Sequence, residues 1–228
     1  MSIYTITKKK IEELLIVEIT QKNFDFQDFV LLYFSGNKIQ FEKVQQIVNE
    51  YRKKKCVCII GSCQKSITKD DFSEVQNLFD LYFENMTENQ FKSLVEACYG
   101  TKSGIVHGDP FDWFSLKSEK DNIVYILSGE GNPLEEATDF VIDEFKYFHR
   151  IDEEKKITNL ICSIQCLESD EFLISDIKST LTKMEEALWK KSELQNLFCF
   201  WFQNIDLKSK FKIVCIFSVC SLYDEISK

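Results

Sequence analysis

Proline and glycine are scarce in this chain, two and seven among 228 residues. That shortage excludes collagen-like and low-complexity sequences and leaves little material for long flexible linkers. Histidine occurs only at His107 and His149. With so few imidazoles, no Cys-x-x-Cys pair and no Cys/His run at zinc spacing, neither a metal nor a cofactor is expected. Long apolar runs are missing as well. The longest, Leu197 to Phe202 and Ile213 to Val219, fall far short of the roughly 20 residues that cross a bilayer, so no membrane span is expected. Basic residues are outnumbered, 28 Lys and Arg against 37 Asp and Glu, and the formal net charge of −9 repels polyanions. Nucleic acid is thereby excluded as the main partner. The basic clusters Lys8–Lys10, Arg52–Lys55 and Lys190–Lys191 read as solvated helix ends or turns, where cations suit the helix dipole.

What the chain does have is apolar and aromatic bulk. Hydrophobic residues make up 44%, with 20 Phe, 8 Tyr and 3 Trp, enough for a packed core without covalent staples. Nine cysteines, an odd number, sit mostly inside strand-like apolar runs. They read as reduced, buried thiols of a cytoplasmic protein and not as a secreted disulfide framework. Acids follow Lys8–Lys10 directly and interrupt any signal-peptide core.

One segment occurs twice. Val30-Leu-Leu-Tyr-Phe-Ser-Gly36 opens one copy and Ile123-Val-Tyr-Ile-Leu-Ser-Gly129 the other. Gln76-Asn-Leu-Phe-Asp-Leu-Tyr-Phe-Glu-Asn85 returns as Gln195-Asn-Leu-Phe-Cys-Phe-Trp-Phe-Gln-Asn204, six of ten positions being identical. Between the marks lie the cysteine-bearing runs Cys56–Cys63 and Leu160–Cys166. The expected organisation is a first α/β unit over 1–100 with an extra N-terminal strand, a connection over 101–121 where Gly100, Gly104, Gly108 and Pro110 cluster, and a second unit over 122–228.

Local patterns fill in the elements. Residues 13–20 and 29–34 read as strands. Phe41, Val44, Ile47, Val48 and Tyr51 recur at helical spacing and predict a helix over 40–54. Val57–Ile60 reads as a strand, residues 72–83 as a helix, and Thr87 with Gln90 as the capping box of another helix. In the second unit the reading is strand 122–127, helix 133–149 opened by Pro133, strand 157–166, strand or helix over 172–181, and helix from Met184. Residues 194–202 read as an aromatic helix and 211–222 as a strand. The fold class is α/β, mixed sheets with helices on their faces, two pseudo-repeated units forming one body.

Three constellations could carry function. The loop Ser128-Gly129-Glu130-Gly131-Asn132, between a strand and a helix N-terminus, lies where an α/β protein holds a phosphate. It matches neither G-x-G-x-x-G nor the P-loop, and its structural reading is a plain turn. His107 with Asp109 and Asp112 has the groups for a catalytic general base or one edge of a metal site, against a turn in which the aspartates bond their own backbone. Phe198, Phe200, Trp201 and Phe202, with Trp113, have the character of interface anchors, against burial in a core.

Residues 123–181, an apolar strand ending in Ser-Gly, an acidic helix and a second strand, resemble the C-terminal domain of the tubulin and FtsZ class. The resemblance implies that fold for this stretch and carries no residue role with it. From residues alone the expected function is a non-catalytic interaction or assembly subunit whose partner is another protein or a second copy. The alternative is a small enzyme or ligand-binding protein for a phosphorylated or nucleotide ligand, held between the units by Ser128–Asn132, His107, Asp109 and Asp112.

Overall fold

The computed structural model describes residues 4–11, 13–21, 27–35, 38–54, 56–65, 75–103, 110–117, 124–151, 155–167, 174–189, 196–204 and 207–221. They divide into two compact units, one running to Ser103 and resuming up to Tyr125, the other from Ile126 onward. The architecture is α/β, mixed sheets with helices on their faces.

The first unit is a five-stranded sheet in the order β1-β2-β3-β4-β5. Its strands are β1 (Tyr4–Ile11), β2 (Leu14–Gln21), β3 (Gln27–Phe34), β4 (Cys58–Cys63) and β5 (Leu81–Phe83). β1, β2 and β3 run antiparallel in turn, while β3, β4 and β5 are parallel. The helix α1 (Lys38–Lys53) crosses between β3 and β4, as parallel neighbours require. It lays Val44, Val48 and Tyr51 on a face made by Leu14, Ile16, Val30, Leu32, Phe34, Ile59 and Tyr82. Each aliphatic side chain so buried contributes about 1.5–3 kcal/mol. The other face receives α2 (Glu88–Ser103) and a 3-10 helix over Pro110–Leu116. There Phe91 stacks on Tyr33 at 4.7 Å, and Trp113 meets Phe29 edge-on at 5.3 Å.

Local chemistry sets several ends. At the start of α2, Gln90 Oε1 accepts from the Thr87 N–H at 2.9 Å while Thr87 Oγ1 accepts from the Gln90 N–H at 3.3 Å, the reciprocal capping box. Gly61 in β4 lets the Phe79 ring lie on the strand, since a Cβ there would stand 2.4 Å from Phe79 Cδ2.

The second unit is a four-stranded sheet in the order β6-β9-β7-β8. Its elements are β6 (Tyr125–Gly131), α3 (Leu134–Ile151), β7 (Lys155–Cys166), α4 (Ile174–Trp189), β8 (Asn196–Gln203) and β9 (Phe211–Ser221). β7 pairs in parallel with β8 and antiparallel with β9. The helices cover one face: Phe145 and Phe148 of α3 meet Phe217 of β9 at 5.1 and 5.3 Å, and Met184 of α4 reaches Cys162 of β7.

Several expected elements change. Lys8, Lys9 and Lys10 belong to an exposed strand, β1, and not to a helix end or turn. Leu81–Phe83 is a strand and not the end of a helix. The supposed aromatic helix is the strand β8, whose Phe200 and Trp201 point to opposite faces and are both buried. An apolar sequence without periodicity fits a strand covered on both sides as well as a buried helix, and its aromatic content favours the strand. The two proposed copies also differ in connection. β3 and β4 are neighbours in their sheet, whereas β6 and β7 have β9 between them.

Candidate functional site

In the second unit a polar cleft of about 300 Å³ opens where the start of α3, the first half of α4 and the start of β9 meet. Asn132, Pro133, Leu134, Glu135 and Thr138 come from the α3 end, Asp176, Ser179, Thr180 and Lys183 from α4, and Lys210 and Phe211 from the entry to β9. The α4 contribution is a row at i, i+3, i+4 and i+7, one face of the helix. An amphipathic helix ordinarily turns such a row of apolar residues inward. Here the row is acid, hydroxyl, hydroxyl and amine, with Thr180 only 4% exposed.

The floor of the cleft is tightly built. The Thr138 hydroxyl donates to the Leu134 carbonyl at 2.9 Å, and the Asn132 N–H donates to Glu136 Oε2 at 2.8 Å. α3 can descend this far onto β6 because of two glycines. A Cβ on Gly129 would lie 2.6 Å from the Ala137 carbonyl oxygen, and one on Gly131 2.5 Å from the Ala137 nitrogen. The lining presents two ammonium groups, two carboxylates and several hydroxyl or amide groups. That mixture can hold a small, strongly polar ligand, the cations and the helix N-terminus attracting its anionic part.

The sequence-predicted groups are distributed differently from expectation. Ser128, Gly129 and Gly131 lie within β6, so no loop of five residues cradles an anion there. The glycines serve close packing of helix on strand. Of that set, Asn132 lines the cleft. His107 and Asp109 lie outside the described residues. Asp112 sits in the 3-10 helix with its backbone carbonyl accepting from Ser115 Oγ at 2.6 Å. Trp113 is fully buried against Phe29, a core residue and not a surface anchor. Trp201 is buried too and donates its indole N–H to Cys166 Sγ at 3.1 Å. Phe200 is 2% exposed, Phe198 is half-buried, and the Phe202 side chain lies outside the described residues. Among the described residues no group of three or more His, Cys, Asp or Glu side chains is placed to hold a metal ion. No helix among them is long and apolar enough to cross a membrane.

Sequence reasoning missed Thr138, Asp176, Ser179, Thr180, Lys183 and Lys210. The available signal was the polar i, i+3, i+4, i+7 row, which runs against the apolar spacing of Ile177, Leu181 and Met184 on the same helix.

No family model matches the sequence, and no curated protein does. Solved structures do resemble the backbone. FtsZ of M. jannaschii, solved as an empty dimer, matches with a TM-score of 0.57 at 11% identity, over 84% of this chain and 63% of that one. A single-substitution mutant of the same FtsZ matches with 0.56 at 10% identity, over 84% of this chain and 65% of that one. The chain thus spans a little under two thirds of the length of these neighbours, and at such identity the shared property is the fold. A share of 84% reaches well beyond residues 123–181, where the sequence alone carried the resemblance. It also overturns the expectation of a non-catalytic subunit acting only through its surface. That expectation rested on the absence of a catalytic or ligand-binding signature and on the aromatic run over 197–202 read as a docking surface, and neither tells against an FtsZ-like fold.

Proposed function

We propose that this chain is an assembling protein of FtsZ-like architecture whose self-association is governed by a nucleotide or another phosphorylated ligand. The observation that carries this reading is the backbone likeness to FtsZ over 84% of the chain. One of those neighbours is described as a dimer, which supports a second copy as the partner. The chain has neither G-x-G-x-x-G nor a P-loop sequence, so its anion contacts come from separately placed side chains. In this proposal the cleft of the second unit takes the phosphate end of the ligand. Lys183 and Lys210 supply the positive charge, and Ser179 and Thr180 the hydroxyl donors. Asp176 and Glu135 would repel a bare phosphate and are matched instead to a ligand that arrives with a divalent cation.

Sedimentation velocity over a range of protein concentrations, with GTP or ATP and with or without Mg²⁺, tests the reading. The expected result is a concentration-dependent shift to larger species that a nucleotide strengthens. A single monomeric boundary under every condition, with no nucleotide retained in equilibrium dialysis, would overturn it.

A further inference from the structure

Three cysteines stand side by side across three adjacent strands of the second unit. Cys162 of β7 is the register partner of Cys199 on β8 and of Cys215 on β9, so all three side chains leave one face of the sheet. Neighbouring strands lie about 4.8 Å apart, and disulfide-bonded residues have Cα separations of roughly 4.4–6.8 Å. Either pair therefore lies within the Cα separation that a disulfide spans. Cys162 Sγ lies 4.0 Å from the Met184 thioether sulfur. Cys162 and Cys215 are fully buried, whereas Cys199, on the edge strand β8, is partly exposed. Every cysteine with a described side chain is a free thiol.

We propose that Cys199, Cys162 and Cys215 form a disulfide-exchange site, entered at Cys199 by a low-molecular-weight disulfide and resolved by Cys162, which bridges to either neighbour. In the first step Cys199 gives up its proton and its sulfur attacks one sulfur of the small disulfide. That S–S bond breaks, a mixed disulfide forms on Cys199, and one small thiol leaves with a proton. In the second step the deprotonated Cys162 sulfur attacks the Cys199 sulfur, forming the Cys162–Cys199 bond and releasing the second small thiol. Two protein thiols are oxidised to one disulfide while one small disulfide is reduced to two thiols. In a third step, with no net redox change, Cys215 attacks Cys162 and returns Cys199 to the thiol.

Exchange needs attacking, central and leaving sulfurs in a line. Three residues directly opposite one another on consecutive strands supply that alignment. The Cys162 sulfur beside it, together with burial, pushes the Cys199 thiol up. The Cys199 thiol is accordingly protonated at neutral pH and a slow nucleophile. Among the described residues β8 is hydrogen-bonded on one side only, to β7. The first bridge fastens that edge, and the transferred bridge releases it.

The test incubates the native protein with excess glutathione disulfide, caps the remaining thiols and maps bridges by peptide mass. Wild type is expected to form a bridge containing Cys162 and to keep no lasting glutathione adduct. Cys215→Ala is expected to trap Cys162–Cys199, and Cys162→Ala to leave glutathione on Cys199. Should Cys162→Ala fail to fold, Cys199→Ala serves, since its site is partly exposed. Loss of the entry point is expected to slow bridging about tenfold or more, and an unchanged rate overturns the assignment. So do a wild-type protein that stays glutathionylated or unmodified, bridges that join other cysteines, and bridges that appear only in urea.

Discussion

Arg52 grips Asp80 with both ends of its guanidinium, Nη2 to Oδ1 at 3.0 Å and Nη1 to Oδ2 at 3.2 Å. Asp80 Oδ2 also accepts the Ile59 N–H at 2.8 Å, and Arg52 Nη2 reaches the Leu78 carbonyl at 3.3 Å. One carboxylate thus ties the end of α1, the entry to β4 and the segment leading into β5. Asp80→Ala leaves the buried Ile59 amide without its acceptor and should cost about 2 kcal/mol. Arg52→Ala, at a half-exposed position, should cost under about 1 kcal/mol. Urea unfolding curves of the two variants check the ranking, and equal midpoints would contradict it.

Gly131→Ala places a methyl carbon against the Ala137 backbone nitrogen, and Gly129→Ala against the Ala137 carbonyl oxygen. Neither neighbour is the end of a flexible side chain. Each substitution is expected to lower stability by about 1–3 kcal/mol through displacement of α3 from β6. Thermal unfolding measures this directly. Variants as stable as wild type would show that α3 can retreat without penalty.

Glu18 accepts hydrogen bonds from Tyr51, from Lys9 at 2.9 Å and from Thr7 at 2.9 Å. Burial alone would raise its carboxyl, but the bonds from Tyr51, Lys9 and Thr7 outweigh burial and hold it below the ordinary value of 4.5. A carboxyl depressed in the folded state stabilises the protein above the unfolded value, and that stability disappears as pH falls through the folded value. Glu18→Gln should therefore destabilise at pH 7 and show a shallower loss of stability than wild type as the pH drops below about 4.5. Urea midpoints measured between pH 3 and 7 provide the check. Parallel curves for both proteins would remove the assigned role.

Trp113→Ala empties a fully buried site and should cost about 3–5 kcal/mol of stability. The same substitution at a surface anchor would instead leave stability near wild type and weaken self-association. Calorimetry together with sedimentation separates the two outcomes.

Lys183→Ala and Lys210→Ala should each reduce nucleotide or inorganic phosphate binding about tenfold while shifting unfolding midpoints little, given half-exposed and exposed side chains. Equilibrium dialysis measures the first and urea titration the second. Unchanged binding in both variants would move the ligand away from the cleft.

Helical spacing at Phe41, Val44, Val48 and Tyr51 made α1 legible, and Thr87 with Gln90 made the start of α2 legible, because both signals are local. β1 escaped notice since Thr7, Lys8, Lys9 and Lys10 are exposed in the strand and give no apolar rhythm. β8 escaped for the opposite reason, being covered on both faces and apolar at successive positions. The cleft was the least legible part. Asn132, Thr180 and Lys210 come from three separate stretches of chain, and only the pairing of β9 beside β6 and the packing of α4 against α3 bring them together. At Gly129 and Gly131 the sequence reads as a turn, with a phosphate loop as the alternative, and the structure shows strand residues that admit a close helix, because glycines serving a turn, a phosphate and a packed helix look alike in sequence.

The placement of β9 sets a condition on how the second half of the molecule comes into being. Phe211–Ser221 fills the gap between β6 and β7, so every earlier strand of that sheet is synthesised before its middle exists. While the ribosome is still short of Phe211, β6 has no neighbour on that side and the long β7 offers an open row of amides and carbonyls. Truncation before Phe211 would remove the keystone of an arch and not a stone from its end.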